Sequence, residues 1–550
     1  MDILLHLRSA LLHPFAFFLY YPILALISFL LLLFLIITPI QLHRISQAPE
    51  NIPWVGLNRA RFFPKLRAVF REIPAGRNPI NEGYEKYSKH GKPFIVPGMH
   101  WNAVVLPPSN ASWVAAQPEH VLSGDTVLDE NLGLAYLTHG PSADSCRDFT
   151  VIRRDLTRQS AKLGAEVYDE VQDAFTDELG SDEEKAEAWK EISLFKLLQA
   201  VSFRAVNRVF VGLPLCRDKS YEKRVTSWTY AYVICAIFMR YTVPSLLKPI
   251  FMRVIAMPSH LLAWYATKEL RPMVRERLRD SHAAGKKHSQ EEHNDMMQWI
   301  ITTNGQKSDP RELSPANIAG KMVLFNLFAT STTSSVSSLV LVDILSYSDA
   351  PTILSLLREE AAIWLPQVGK DPAALRKMEK LDSVIRETLR FNNVAAQGLV
   401  REVVAPGGIT TPDGVHLPQG AHIHSTIANM QRDTAFYGPT AGKYDPFRFC
   451  IDADDSGAEV YGTKGHPSAV HLSPEYLSFG LGRHACPGRF FAVNAIKLML
   501  GHLLLEYEVE PFNERPKMIE LGEEAVPSEK TMMKVRKVGK DRERKTASLL

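Results

Sequence analysis

The stretch "ANIAGKMVLFNLFATSTTSSVSSLVLVDILSYS", Ala316 to Ser348, most restricts how this chain can fold. Ser314 and Pro315 just before it supply an N-cap and a proline at the first helical position, and the next proline is Pro351. The pattern predicts one long helix. It is apolar nearly all the way round, so it must run through the core of a large domain. Residues 150 to 280 read mainly as further helices, because "IRRDLTRQSAKLGAEVYDEVQDAFTDEL" repeats apolar residues at three- and four-residue intervals. "SHAAGKKHSQEEHN", from Ser281, loses that period and predicts a solvated loop. From Arg401 to about His424, β-branched pairs broken by Gly, Pro and Asp-Gly predict short hairpin strands. The expected fold class is mainly α with a small β-rich subdomain.

The N-terminus adds a second constraint. Pro14 to Ile40 holds 27 residues without Asp, Glu, Lys or Arg, and about 20 apolar residues in a helix span a bilayer core. The run is too long for a signal-peptide core and lacks a small-x-small cleavage site after it. It predicts a single transmembrane helix, from near Ile23 to Thr38 if Pro22 caps or kinks it. His43, Arg44, Arg59, Arg61, Lys65 and Arg67 follow it, against Arg8 before it, which sets the later residues in the cytosol. The chain therefore divides into a membrane anchor (1–44), a main domain (45–534) and a basic polar tail (535–550). "APENIPWVG" predicts an extended, stiff connector after the anchor.

With 63 basic and 60 acidic residues, a net charge of +3 gives no argument for nucleic acid. Five scattered cysteines, Cys146, Cys216, Cys235, Cys450 and Cys486, form no CxxC pair and suggest a reducing compartment.

Of these, Cys486 in "FGLGRHACPGRFFA" has the most unusual surroundings. Glycines at 480, 482 and 488 let the backbone turn tightly and bring amides to the sulfur, while Pro487 removes one donor. A helix over "RFFAVNAIKLMLGHLLLEY" would add its positive end. Such a place suits a reactive nucleophile or a metal-bound thiolate. His484 is badly placed to act as a base, and no Cys or His cluster has zinc spacing. A single-thiolate ligand to heme iron fits what remains.

Phe479, Gly482, His484, Cys486 and Gly488 match F-x-x-G-x-[RH]-x-C-x-G, which resembles the heme-binding signature of the cytochrome P-450 superfamily. The resemblance implies heme b (iron protoporphyrin IX), with Cys486 as axial iron ligand, Phe479 packed beside it and His484 reaching a heme propionate. A histidine in place of the commoner arginine offers no full charge at high pH. Upstream by 99 residues from Cys486, Glu387 and Arg390 share one helix face, and "DPFRF" supplies Pro446, Arg448 and Phe449. An isolated ExxR is normally a weak surface pair. The resemblance instead implies a buried Glu387, Arg390 and Arg448 network that holds the proximal fold. In "FATSTTSS", Ala329 and Thr330 align with the family's small residues, Thr332 with its acid, and Thr333 with the threonine at the oxygen site. The acid is missing, and hydroxyls of Thr332, Thr333 and Ser334 form a plausible proton chain. Arg401 fits the family's strand arginine. Arg153 replaces a helix arginine that contacts heme.

The implied function is a heme-thiolate monooxygenase that uses O2 to oxidise a lipophilic small molecule, such as a terpenoid. "RHACPGRFFA" and "NDMMQWI" look most like microsomal enzymes of fungal secondary metabolism, which implies the endoplasmic reticulum membrane. No nucleotide-binding fingerprint is present. Electrons would therefore come from a separate reductase, which the resemblance implies is NADPH-cytochrome P-450 reductase, docking near Arg483, Arg489 and Lys497. Phe325, Ala329, Val394 and Ala395 are the expected substrate contacts. The alternatives are a heme-thiolate isomerase or dehydratase needing no external electrons, and a non-catalytic heme carrier or sensor.

Overall fold

The computed structural model describes residues 28, 31–38, 51–57, 64–98, 100–138, 148–160, 162–180, 188–283, 293–307, 309–450, 459–460, 463–464 and 467–538. The central helix runs unbroken from Pro315 to Leu345, with the Ser314 hydroxyl accepting from the Asn317 N–H at 3.2 Å. Among the described residues it is the one helix long and apolar enough to cross a membrane, but it is mostly buried in the domain. It packs against the helices Leu194–Phe210 and Arg489–Glu506. Leu, Val, Ile and Phe side chains from all three join one continuous core. Removing each such side chain from water stabilises the fold by about 1.5–3 kcal/mol.

Two buried amides fix how the central helix meets its neighbour. Asn207 and Asn326 exchange hydrogen bonds, 3.1 and 2.6 Å, and Thr330 donates to the Asn326 Oδ1 at 2.7 Å. Sliding either helix by one residue would leave these polar groups buried without partners.

The β-rich part is a five-stranded sheet ordered Phe94–Val96, Ala103–Leu106, His422–Thr426, Gln397–Val403, Leu122–Ser123. Ala103–Leu106 and His422–Thr426 run parallel, and the remaining pairings are antiparallel. The expected extended connector lies along this sheet's edge: the Val55 N–H donates to the Ile95 carbonyl, and the Ile95 N–H to the Pro53 carbonyl, both at 2.9 Å.

Two expected boundaries are corrected. Residues 535–537 do not belong to a loose tail, because Met532–Lys537 pairs with both Tyr507–Val509 and Lys190–Ser193 and buries Val535. Alternating valine and methionine with charged residues gave that strand its buried face. The helix Leu270–Ala283 also runs into the expected loop, of which 284–292 lie outside the described residues. Most of the expected anchor lies outside them as well. Residues 31–38 are helical up to Thr38, whose hydroxyl bonds the Phe34 carbonyl at 2.6 Å.

Candidate functional site

Cys486 sits in a loop closed by its own N–H, which donates to the Phe479 carbonyl at 2.8 Å. Gly480 and Gly482 take φ of +73° and +68°, and a Cβ at Gly482 would come 2.8 Å from the Ala115 carbonyl oxygen. Only glycine avoids strain there. Gly488 differs from this expectation: its φ is −92°, and a Cβ would find nothing nearer than Ile152 Cγ2 at 4.0 Å. Its glycine leaves room in the cavity beside the sulfur rather than a tight turn.

Burial pushes the Cys486 thiol above its ordinary pKa. The backbone N–H groups of Gly488 and Arg489 and the Arg489 guanidinium act in the opposite direction. They lie at the start of Arg489–Glu506, whose dipole also favours negative charge. The loop is thus arranged to hold a sulfur anion that a metal would keep deprotonated.

Above the sulfur lies a cavity of about 430 Å³. One wall is the central helix, through Phe325, Phe328, Ala329, Thr332 and Thr333. A second is the helix Asp125–Leu132, and a third carries Phe149, Ile152 and Arg153. Val400 and Arg401 close it from the sheet. Consecutive strand residues normally point to opposite faces. Here Leu399 takes φ of +49° and the register shifts between Gly398 and Arg401, a β-bulge that brings both neighbours to the cavity.

Arg153, Arg401 and His484 all reach the cavity. His484 Nε2 lies 2.7 Å from Glu119, which also accepts from the Ser123 hydroxyl at 2.6 Å and the Asp125 N–H at 3.0 Å. Burial, then the Arg401 charge, lowers the His484 pKa, while Glu119 raises it. A Cβ at Gly124 would come 3.1 Å from the His484 ring and 3.4 Å from Arg401. The glycine lets these two basic groups sit together.

Glu387 and Arg390 are completely buried and doubly bonded, 2.6 and 2.7 Å. Arg448 Nε adds contacts of 3.2 Å to both Glu387 oxygens, and the Asp445 N–H donates to the same carboxylate at 2.9 Å. The two guanidinium groups then bind carbonyls of Gln431, Thr440, Ala441 and Lys443. Arg386, which no motif marks, lies between the rings of Phe449 and Tyr476 and donates to the Ser468 carbonyl at 2.6 Å.

On the central helix, Ser331, Thr332 and Ser334 bond their hydroxyls to carbonyls of the preceding turn, at Leu327, Phe328 and Ser331. Thr333 is buried and lines the cavity, and its hydroxyl makes no hydrogen bond among the described residues. Of the expected hydroxyl chain, Thr333 is therefore the member held free of the helix backbone.

Other expected positions fall elsewhere. Val394 and Ala395 do not line the cavity; the Val394 carbonyl accepts from Arg77 at 2.7 Å and from the Ala525 N–H at 2.8 Å, and Ala395 bridges to Glu524. Phe479 packs on the main core beside the loop. Lys497 is buried, pairs with Asp382 at 2.5 Å and donates to the Leu375 carbonyl, so it offers no docking charge. Arg483 is exposed, and Arg489 is half-buried against Phe490. Sequence reasoning missed Asp125, Asn131 and Val400. The first two had a signal, since positions 125, 128 and 131 share one helical face. A bulge leaves no such trace.

One half-buried cysteine with amides behind its sulfur, an open volume above it and three basic groups at the edge form a donor set that fits heme iron with two carboxylates. Residues 114–535 match the family model described as cytochrome P-450. The chain is 30% identical to the cytochrome P-450 monooxygenase polB of Polytolypa hystricis over 89% of this chain and 94% of that protein. It is also similar to lnaC of Aspergillus flavus, 29% identical over 86% and 90%, and efuH of Hormonema carpetanum, 30% over 87% and 85%, both cytochrome P-450 monooxygenases.

Proposed function

This chain belongs to the cytochrome P-450 family and is a monooxygenase of that family; from that premise we propose that it oxidises a lipophilic small molecule at the cavity above Cys486, taking electrons from NADPH-cytochrome P-450 reductase. The family implies heme iron, and heme b is the form we assign. When bound, the heme activates O2 for insertion of one oxygen atom into a substrate C–H bond.

The observation that carries this reading is the half-buried Cys486, whose sulfur lies beneath an apolar cavity edged by Arg153, Arg401 and His484. Cys486 would bind the iron. Arg153, Arg401 and His484 would hold the propionates, Glu119 orienting His484 through Nε2. Glu387, Arg390 and Arg448 hold the chain that leads to the cysteine loop. Thr333 presents a hydroxyl that can donate a proton inside the cavity. Phe325, Phe328 and Ala329 exclude water and orient an apolar ligand. A terpenoid suits these walls. Arg483 and Arg489 remain the cations proposed for reductase docking, and the main domain is taken to extend to 538.

The protein is proposed to sit on the endoplasmic reticulum membrane through residues 1–44, with the domain in the cytosol. Support comes from an apolar surface on Ser245–Ala266, where Leu246, Ile250, Val254, Leu261 and Trp264 are about half exposed or more. Phe34 of the 31–38 helix lies against it, 6.4 Å from the Phe251 ring.

The test is the spectrum of the reduced, CO-bound protein, followed by turnover with and without NADPH and reductase. The thiolate band should appear in the native protein and vanish in Cys486→Ala. Absence of heme would reject the reading. Product formed without NADPH would favour an isomerase or dehydratase instead.

A further inference from the structure

A second groove, of about 450 Å³, shares no lining residue with the cavity above Cys486. The helix Arg77–Lys86 borders it through Arg77, Asn78 and Asn81, and Arg432 and Arg515 reach it from far along the chain. Three guanidinium groups thus meet at one opening. Their hydrogen bonds leave donors over. Arg77 uses Nη2 on the Asn393 and Val394 carbonyls, at 2.9 and 2.7 Å. Arg432 gives Nε to the Phe391 carbonyl at 2.5 Å and Nη2 to Asn392 Oδ1 at 3.2 Å, so its Nη1 is uncommitted among the described residues. Arg515 commits Nη1 to the buried Asp343. Asn81 accepts from Asn429 at 2.9 Å through Oδ1 and keeps its own N–H donors.

Charge is unbalanced in the same place. Among the described residues no carboxylate lies within ion-pair distance of Arg77 or Arg432; Glu520, Glu523 and Glu524 act on Arg77 from farther away. Two of the groove's acids are engaged elsewhere: Glu85 pairs with Lys89 at 3.4 Å, and Asp433 accepts from the Tyr84 hydroxyl at 2.8 Å and the Ala435 N–H at 2.9 Å. Glu520 is the acid left at the opening. Solvent reaches Arg432, yet protein atoms enclose it on most sides. That enclosure, with the charges of Arg77, Arg390 and Arg515, pushes its guanidinium down to about 10 against the pull of Asp343. An anion in the groove would relieve this repulsion.

We propose that this groove binds an organic phosphate, with Arg77, Arg432 and Arg515 around the phosphoryl oxygens and Asn78 and Asn81 toward the rest of the molecule. Guanidinium forks match phosphate oxygens in pairs. The volume exceeds that of a bare phosphate ion and leaves space for a carbon skeleton. The first turn of Arg77–Lys86 has no side-chain cap, so its positive end adds to the same field. A soluble phosphate ester and a phospholipid head group present this chemistry alike. The site goes beyond the monooxygenase reading and does not depend on it.

The test is calorimetric titration of the purified holoenzyme, at fixed ionic strength, with glycerol 3-phosphate and with glycerol as its uncharged match. Glycerol 3-phosphate should bind one to one, and glycerol should give no binding heat. Arg432→Gln and, separately, Arg77→Gln should each weaken binding about tenfold or more, the worth of one charge-assisted hydrogen bond. Glu520→Gln removes the opposing carboxylate and should tighten binding by about threefold. Phosphatidate vesicles then separate the sources: a lipid head group should make them retain the native protein better than Arg432→Gln, and a soluble ester should leave the two retained alike. No binding of glycerol 3-phosphate, equal binding of glycerol, or affinity that survives both arginine changes would overturn the assignment. Should the arginine variants fail to fold, the exposed Glu520→Gln decides, and unchanged or weaker affinity there counts against the site. The CO-bound spectrum should stay native in all three variants. Its absence from the native protein would fail the monooxygenase reading, whereas an intact spectrum without phosphate binding fails the groove alone.

Discussion

Val400 and Arg401 are neighbours in one strand, and both line the same cavity. The bulge at Leu399 makes this possible, placing an apolar contact and a guanidinium side by side where a regular strand would deliver one of them. Arg401 should therefore matter for holding heme. Losing one charge-assisted hydrogen bond costs about 1.5–3 kcal/mol, so Arg401→Leu should release heme to apomyoglobin at least about tenfold faster. Arg401→Lys should fall between. Release at the native rate in both would remove Arg401 from the cofactor site.

Glu387, fully buried, balances two arginines whose side chains are buried with it. Glu387→Gln removes the charge and keeps the shape, leaving Arg390 and Arg448 uncompensated. The expected loss is about 3–5 kcal/mol. It should be seen as a large fall in the urea midpoint, or as failure to accumulate folded protein. A midpoint within experimental error of native would show that the arginines are satisfied by carbonyls alone.

The two glycines flanking Cys486 should behave oppositely. Gly482→Ala places a Cβ at 2.8 Å from the Ala115 carbonyl at positive φ, and should destabilise the fold by about 1–3 kcal/mol. Gly488→Ala meets neither obstacle. It should leave the melting temperature of the apoprotein near native while lowering heme content, because the methyl group enters the cavity. Similar melting shifts in both variants would mean that Gly488 is held by the fold.

His422 and His424 are buried, and burial lowers their pKa values to about 4 and about 3, helped by Lys248 for the first and by His422 and Arg240 for the second. Their unfolded value is near 6.5. Between these limits the unfolded chain takes up protons that the folded chain refuses, so stability is full above pH about 6.5 and falls as pH drops. Each contributes up to about 1.4 kcal/mol per pH unit across that window. The melting temperature should decline from pH 6.5 downward, and His424→Asn should flatten the decline. A steep decline unchanged by that variant would assign it to other groups.

The central helix was legible because capping and an all-round apolar composition act locally, and Ser314 and Pro315 sit where the pattern puts them. The cysteine loop was legible for a related reason, since its spacing encodes backbone geometry, although Gly488 proved to give space and not a turn. What the sequence hid depends on distant partners. Arg386 reads as one more basic residue until Phe449 and Tyr476 enclose it. Lys497 reads as a surface cation until Asp382 arrives from 115 positions away. The tail reads as loose until Lys190–Ser193 supplies a strand for 532–537. Val394 and Ala395 follow the helix in a way that suggested the cavity, yet the Glu524 hairpin takes their backbone.

The carbonyls of Gln431, Ala441 and Lys443 are gathered by one guanidinium rooted at Arg390, 41 to 53 residues earlier. The stretch they belong to holds short helical turns but no strand, and its long-range backbone anchors come from the helix Glu379–Phe391. One side chain thus serves as a common peg for three peptide groups, and its loss would take a partner from all three at once.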